Sequence, residues 1–347
     1  MERSNKIIGY WLLLGVAMLI VQIFLGGVTR LTGSGLSITE WNAIMGALPP
    51  MNQQDWNLAF IKYQQFDQYK LVNSAMTLSE FKSIFFWEYV HRLWARFMAL
   101  CAFLPMLYFL VKKILQPQDA IKIVLIIFLG ALEGLVGWIM VASGLGKNKV
   151  LVDPVKLTAH LLIAGVIVSL TFRFALEYLF PKQKTIPVSL ARNWLTFFVA
   201  CIFIQISLGA LVAGSKAALN APTWPMMNDS YFPPHWGFLR PWEEHIHENN
   251  VFLQFLHRNT AYAITVFAFL LFIRLETLAK SSELNWSRKL LLTSVALQVI
   301  LGILTLLFSK GKIPVFWGEL HQLGAYFVLL SAISAHYFVK YRNSTIP

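Results

Sequence analysis

The sequence predicts an all-α integral membrane protein, with eight transmembrane helices forming two tandem, pseudo-symmetric four-helix bundles. Composition, the length of the apolar stretches and an internal repeat support this prediction. Of the 347 residues, 57% are hydrophobic and only 13% are charged, which is about half the roughly 25% of charged residues usual in soluble domains. These values exclude soluble, disordered, fibrous and disulfide-scaffold proteins and leave the lipid bilayer as the solvent.

Eight stretches are long and apolar enough to cross a membrane, since a helix needs about 20 apolar residues to span the hydrocarbon. The predicted spans are 7–28, 87–111, 121–143, 155–179, 192–213, 251–275, 288–308 and 317–339. Because their number is even, both chain termini are expected on the same side of the membrane.

The basic residues predict which side that is. About half of the 29 Lys and Arg residues lie in the termini and the short loops of one side, and positive charge in short loops marks the cytoplasm. Both termini are therefore expected in the cytoplasm, and two long loops, 30–86 and 214–250, on the outer side. The net charge of +12 then reflects orientation, and no nucleic-acid partner is expected. Tryptophans concentrated in these loops predict a folded cap at the membrane interface.

An internal repeat divides the chain into halves at 1–185 and 186–347. Each odd-numbered span carries an amide or acid followed four residues later by glycine, namely Gln22 and Gly26, Glu133 and Gly137, Gln205 and Gly209, and Gln298 and Gly302. Residues at i and i+4 share one helix face, and glycine permits close approach of a neighbouring helix or a flat ligand. The repeat predicts two parallel four-helix halves, each with an inward polar group beside a narrow face.

Four histidines follow the same repeat, near the outer ends of the even-numbered spans: His91, His160, His257 and His321. One imidazole on each of two helices, in both halves, is typical of haem iron held by two axial ligands between helices. Zinc would require a further protein ligand, which no nearby cysteine supplies. The pattern favours two bis-histidine haem sites over four structural histidines.

Three charged residues accompany these histidines. Arg92 and Arg258 directly follow His91 and His257, where they are expected to bind haem propionates; the alternative is interfacial arginines that extend to the lipid headgroups. Glu88 precedes His91 by three residues, whereas Gln254 is its counterpart in the second half. This difference predicts a reaction in the first half and electron transfer in the second, against the alternative of a carboxylate that only favours a helix start.

Other polar residues are less informative. Glu133 is an intramembrane acid and so a functional candidate, although a protonated glutamate standing in for glutamine explains it equally. The loop residues His235, His245 and His247 are more typical of solvated than of metal-binding histidines. His336, near the end of the last span, is interpreted as structural.

The glycine-rich segment Gly26-Gly-Val-Thr-Arg-Leu-Thr-Gly-Ser-Gly-Leu-Ser37, followed by Trp41, Gly46 and Pro49-Pro50, resembles the haem A synthases. The resemblance covers essentially the whole chain and is closest to the branch shared by mitochondria and many Gram-negative bacteria. Glu88-Tyr-Val-His91-Arg92 resembles the glutamate-to-histidine motif of that family. The cysteine pair that some members carry in outer loops is missing here.

The resemblance implies oxidation of the C8 methyl group of haem O to a formyl group, by successive hydroxylations, to give haem A for terminal oxidases. It implies that His257 and His321 ligate a haem b cofactor, that His91 and His160 bracket the substrate haem O, and that Glu88 contributes to catalysis. It further implies a bacterial inner-membrane location, a functional link to a haem O synthase and to an electron donor, and oxidase assembly factors as candidate partners. A homo-oligomer stays an open alternative.

Two other functions compete with this one. A di-haem b membrane cytochrome would pass electrons between quinone and a partner without forming a product. A transporter would line a substrate path with its repeats, but transporter repeats are often inverted, with broken helices at the midplane. The parallel repeat and the position of the four histidines away from the midplane argue against a transporter.

Overall fold

The computed structural model describes residues 2–40, 48–180, 189–233, 249–278 and 281–339. Ten α-helices occur in these ranges: α1 (Glu2–Leu31), α2 (Gln53–Gln64), α3 (Asp67–Val72), α4 (Leu78–Val111), α5 (Pro117–Gly144), α6 (Pro154–Leu179), α7 (Ser189–Gly214), α8 (Asn250–Glu276), α9 (Ser282–Leu307) and α10 (Val315–Val339). Eight of them, α1 and α4 to α10, are long and apolar enough to cross a membrane. The prediction of an all-α, multi-pass integral membrane protein is therefore confirmed.

Helix α4 starts nine residues before the predicted span at 87. Thr77 caps it: its hydroxyl accepts a hydrogen bond from the backbone N–H of Glu80, and the Glu80 side chain accepts one from the N–H of Thr77. This capping box satisfies two backbone donors that a helix start leaves unpaired. The first turns of α4 are consequently helical before the membrane-spanning stretch begins.

The segment between α1 and α4 folds into a small helical cluster, called the cap below. Tyr63 of α2 and Phe81 and Phe85 of α4 are buried together, and Trp56 packs edge-on against Phe85 with ring centres 5.0 Å apart. The Tyr63 hydroxyl donates to Gln68 and accepts from Asn73. The predicted cap residues Trp41, Trp236 and Trp242 lie outside the described residues.

The glycine-rich segment after α1 makes a turn that the cap holds in place. Gly33 has a φ of +71°, a left-handed conformation that glycine adopts without a side-chain penalty. Its carbonyl oxygen accepts a hydrogen bond from the side-chain amide of Gln68 at 3.1 Å. Ser37 follows this turn, and its side chain reaches α4.

The chain forms two compact units. The first unit is Met18–Ala164, and the second combines Met1–Ala17 with Gly165–Pro347. The first unit therefore contains α2 to α5 and the parts of α1 and α6 that carry Gly26 and His160. The second contains α7 to α10 and the remaining parts of α1 and α6. The predicted halves 1–185 and 186–347, and their pseudo-symmetry, stay predictions.

Candidate functional site

All four predicted histidines lie against the predicted glycines, one on each odd-numbered span. A β-carbon added to each glycine would come within 3.1 Å of an imidazole atom: Gly26 of His91 (3.1 Å), Gly137 of His160 (2.9 Å), Gly209 of His257 (3.1 Å) and Gly302 of His321 (2.8 Å). Real β-carbons almost never approach other atoms below 3.0 Å. The glycines therefore provide the space in which the four rings lie.

In the second unit, His257 and His321 face each other. Their ring centres are 6.3 Å apart and the ring planes are perpendicular. The amide nitrogen of Gln205 donates to the backbone carbonyl of His257 at 2.9 Å and lies 3.0 Å from its Nδ1. Gln298 does the same at His321, with distances of 2.9 and 3.1 Å. Each imidazole is thus held by a glutamine and a glycine from one helix.

In the first unit, the two histidines differ in how they are held. Nδ1 of His160 lies 3.1 Å from Oε1 of Glu133, so a carboxylate occupies the position that the glutamines occupy in the second unit. The ring of His91 instead has no hydrogen-bond partner among the residues that the structure describes. Gln22 has the sequence position of Gln205, but no hydrogen bond joins it to His91 among the described residues, and its side-chain oxygen is buried without a partner, as are those of Gln205 and Gln298.

The carboxylate of Glu88 is the most buried charged group near these histidines, with only 2% of the residue exposed. Its Oε2 accepts hydrogen bonds from the Ser37 hydroxyl and the Ile38 backbone N–H, both at 2.7 Å. Its Oε1 pairs with the guanidinium of Arg92 at 2.5 Å. Arg92 also donates to the carbonyl oxygens of Ile38 and Glu40. Glu88 and Arg92 together bind the loop that follows α1.

The second unit has a neutral version of this arrangement. Gln254, which is 2% exposed, donates its amide hydrogen to the carbonyl of Ala221 at 3.1 Å. Arg258 donates to the same carbonyl at 2.9 Å and to that of Met226 at 3.3 Å. The Nε of Arg258 is buried without a hydrogen-bond partner, so this guanidinium retains a donor for a further acceptor.

The structure also contains a buried acid that the sequence reasoning missed. Glu319 lies near the start of α10, two residues before His321, and is 3% exposed. A glutamate inside the predicted span 317–339 was the signal that could have identified it. His336 is hydrogen-bonded to the Thr196 hydroxyl at 3.1 Å, which fits its structural interpretation. His235, His245 and His247 lie outside the described residues.

Clusters of three or more His, Cys, Asp or Glu side chains able to hold a metal ion do not occur in the described ranges. The histidines instead come in pairs, one pair in each unit. A metal held by such a pair needs its remaining ligands from another molecule, as the four ring nitrogens of a porphyrin supply for haem iron.

Comparison with known proteins agrees with these features. Residues 9–333 match the family of cytochrome oxidase assembly proteins. A haem A synthase of Nitrosospira multiformis is 39% identical over 95% of this chain and 92% of its own length. A haem A synthase of Methylobacterium sp. (strain 4-46) is 40% identical over 96% of this chain and 92% of its own length. A third, from Nitrosomonas eutropha, is 39% identical over 95% of this chain and 93% of its own length. The chain therefore belongs to the family of cytochrome oxidase assembly proteins that contains the haem A synthases.

Proposed function

We propose that this protein is a haem A synthase that oxidises the C8 methyl group of haem O to a formyl group by successive hydroxylations. The observation that carries the proposal is the presence of two imidazole pairs, one accompanied by a buried carboxylate and the other by an amide, in a chain similar to haem A synthases over nearly its full length. The enzyme would thus be an oxidoreductase acting on a CH group.

We propose His257 and His321 as the axial ligands of a haem b cofactor. Two imidazoles on opposite sides of one metal, each bonded at about 2 Å, have ring centres about 6 Å apart, and the observed 6.3 Å fits this separation. Gly209 and Gly302 leave room beside the rings. Haem b would supply electron transfer when bound, and the residues around it would set its orientation and exclude water.

The substrate haem is assigned to His91 and His160 on the same reasoning from paired imidazoles. Glu88 is proposed to act there, because it lies one helical turn from His91 and is the ionisable group that the second unit replaces with Gln254. Ser37, Ile38 and Arg92 hold its two oxygens in fixed directions. A carboxylate so held can stabilise developing positive charge at the substrate without reorganising.

Arg92 and Arg258 are proposed to bind propionates. The buried, unpartnered Nε of Arg258 supports this role in the second unit. In the first unit the Arg92 guanidinium already contacts Glu88 and two carbonyl oxygens, so a propionate there would add to an existing network.

The proposed orientation has both termini in the cytoplasm of a bacterial cell and all four histidines in the outer leaflet. A haem O synthase, an electron donor and oxidase assembly factors are the proposed partners.

The deciding experiment is co-expression of the full chain with a haem O synthase in a host that makes no haem A, followed by haem extraction and mass spectrometry. Haem A or its hydroxylated precursor is expected, and a strain with the haem O synthase alone is the control. Recovery of haem O and haem b only, with haem bound to the purified protein, would refute the synthase and support the second candidate. That candidate, a di-haem b membrane cytochrome, is favoured by the glycine that lies against the imidazole ring of all four histidines.

A further inference from the structure

We infer that Glu133 is a positioning residue that makes His160 the retained axial ligand of the substrate haem, and that His91 is the ligand that exchanges. This inference rests on the proposed function, since it assumes that His91 and His160 bracket the substrate. It addresses a chemical requirement of that function: two permanently bound imidazoles would leave no free coordination position at the substrate iron. Access of an oxidant to that iron would require one of the two imidazoles to be easier to displace.

The first support is the chemistry of the residue that faces each Nδ1. A glutamine amide presents either its nitrogen or its oxygen to a ring nitrogen, whereas a carboxylate presents oxygen only. Nδ1 of His160 lies 3.1 Å from Oε1 of Glu133, although the two atoms are not aligned as a hydrogen bond. An ionised Glu133 at this distance favours the tautomer of His160 that carries hydrogen on Nδ1 and leaves the lone pair of Nε2 for a metal. A carboxylate behind a metal-binding histidine also fixes the ring and strengthens it as a ligand.

The second support is the orientation of the rings relative to the glycines. At His160, His257 and His321 the imidazole atom nearest the glycine is Cε1. At His91 the nearest atom is Nε2, with Cδ2 and Cε1 both 3.7 Å away from the β-carbon position of Gly26. This corresponds to a half-turn of the ring about its Cβ–Cγ bond. It turns Nδ1 away from the side where the other three histidines meet their polar partner.

The third support is the unused partner of His91. The side-chain oxygens of Gln22, Gln205 and Gln298 are all buried without a hydrogen bond. The amide nitrogens of Gln205 and Gln298, however, lie 3.0 and 3.1 Å from Nδ1 of their histidines, whereas no such contact joins Gln22 to His91 among the described residues. Among the described residues, no polar side chain contacts the ring of His91 as Glu133, Gln205 and Gln298 contact the other three rings. Its imidazole can rotate at lower cost than that of His160, which is the property that an exchangeable ligand needs.

The test compares His91→Ala with His160→Ala in protein purified after co-expression with a haem O synthase. His91→Ala is expected to retain haem O at the first site as a high-spin species that binds carbon monoxide when reduced. His160→Ala is expected to lose haem O from that site. Equal retention in both variants, or retention only in His160→Ala, would overturn the inference. The haem b content of each preparation reports whether the second unit is folded.

Glu133→Gln tests the positioning role directly. Glu133→Gln introduces the amide that the other three odd-numbered spans carry, and retention of haem O is expected to fall roughly 10–100-fold, the usual effect of losing such a partner. The electron paramagnetic resonance signal of the haem O that remains bound should also shift. A purely structural defect would not change the signal of this site alone. Unchanged haem O retention and an unchanged signal would contradict the role of Glu133. If the wild-type protein itself binds no haem, the proposed function fails and not this inference alone.

Discussion

The two units of the molecule hold paired histidines in similar surroundings but differ in charge. In the second unit both imidazoles contact glutamine, and a neutral glutamine, Gln254, binds the loop after α7. In the first unit Glu133 has the sequence position of Gln298 and Glu88 that of Gln254, while Gln22 keeps the amide of Gln205. The acids cost free energy to bury in an apolar setting unless they are paired, and Glu88 is paired with Arg92 while Glu133 lies beside His160. The difference supports the proposal of a permanent haem b cofactor in the second unit and of the reaction in the first.

The largest expected effect is the loss of haem b from the second unit. His257→Ala or His321→Ala should remove most of the low-spin bis-histidine absorption of the purified protein. The loss should exceed the roughly 10–100-fold cost of removing a residue that only supports a metal ligand. His336→Ala is the matched control, since His336 lies on the same helix as His321 and bonds Thr196. Full retention of haem b in both test variants would exclude these ligands.

The next largest effect concerns the charge that distinguishes the units. Glu88→Gln should preserve haem binding but lower haem A formation roughly 10²–10⁴-fold, the usual contribution of a catalytic acid or base. The measurement is the ratio of haem A to haem O extracted from cells that also express a haem O synthase. Glu80→Gln in the same helix serves as the matched control, because glutamine also completes the capping box with Thr77, and it should leave that ratio close to the wild-type value. Normal haem A output from Glu88→Gln would remove Glu88 from catalysis.

A third prediction uses the glycines that both units share. Gly302→Ala would place a β-carbon 2.8 Å from His321 Cε1, and overpacking of this kind costs about 1–3 kcal/mol. We expect haem b to be lost at lower temperature from this variant, as followed by the absorbance of the bound haem on heating.

Gly137→Ala should act in the same way on the first unit, where the β-carbon would lie 2.9 Å from His160. Gly134→Ala in the same helix is the control, because the added carbon would meet no atom within 4 Å in the described part of the chain, apart from its chain neighbours and the backbone of its own helix. Equal loss of substrate haem from the Gly137 and Gly134 variants would show that the close contact has no role in holding the imidazole.

Much of this arrangement could be predicted from the sequence. The eight spans follow from hydropathy and length, and the repeated polar residue and glycine predicted one face on each odd-numbered helix. The contact of each glycine with a histidine required the packing of two helices. The pairing of Glu88 with Arg92 could be predicted from their i,i+4 spacing. The hydrogen bonds of Ser37 and Ile38 to Glu88 could not, because they join residues about 50 positions apart in the sequence. The start of α4 at Leu78 depends on the capping box, which hydropathy does not register.

The smallest expected effect concerns the cap, and it shows whether the cap stabilises the first unit alone. Tyr63 is completely buried in the cap, and burial raises the pKa of its phenol, so the hydroxyl stays protonated and keeps donating to Gln68. Tyr63→Phe removes the hydroxyl that donates to Gln68 and accepts from Asn73. This should lower the stability of the cap by about 1 kcal/mol. Because Gln68 also binds Gly33 in the turn that leads to Ser37, the variant should release substrate haem at slightly lower temperature than the wild type. Release of haem b should be unchanged. An equal fall in the release temperature of both haems would mean that the cap stabilises both units and not the first unit alone.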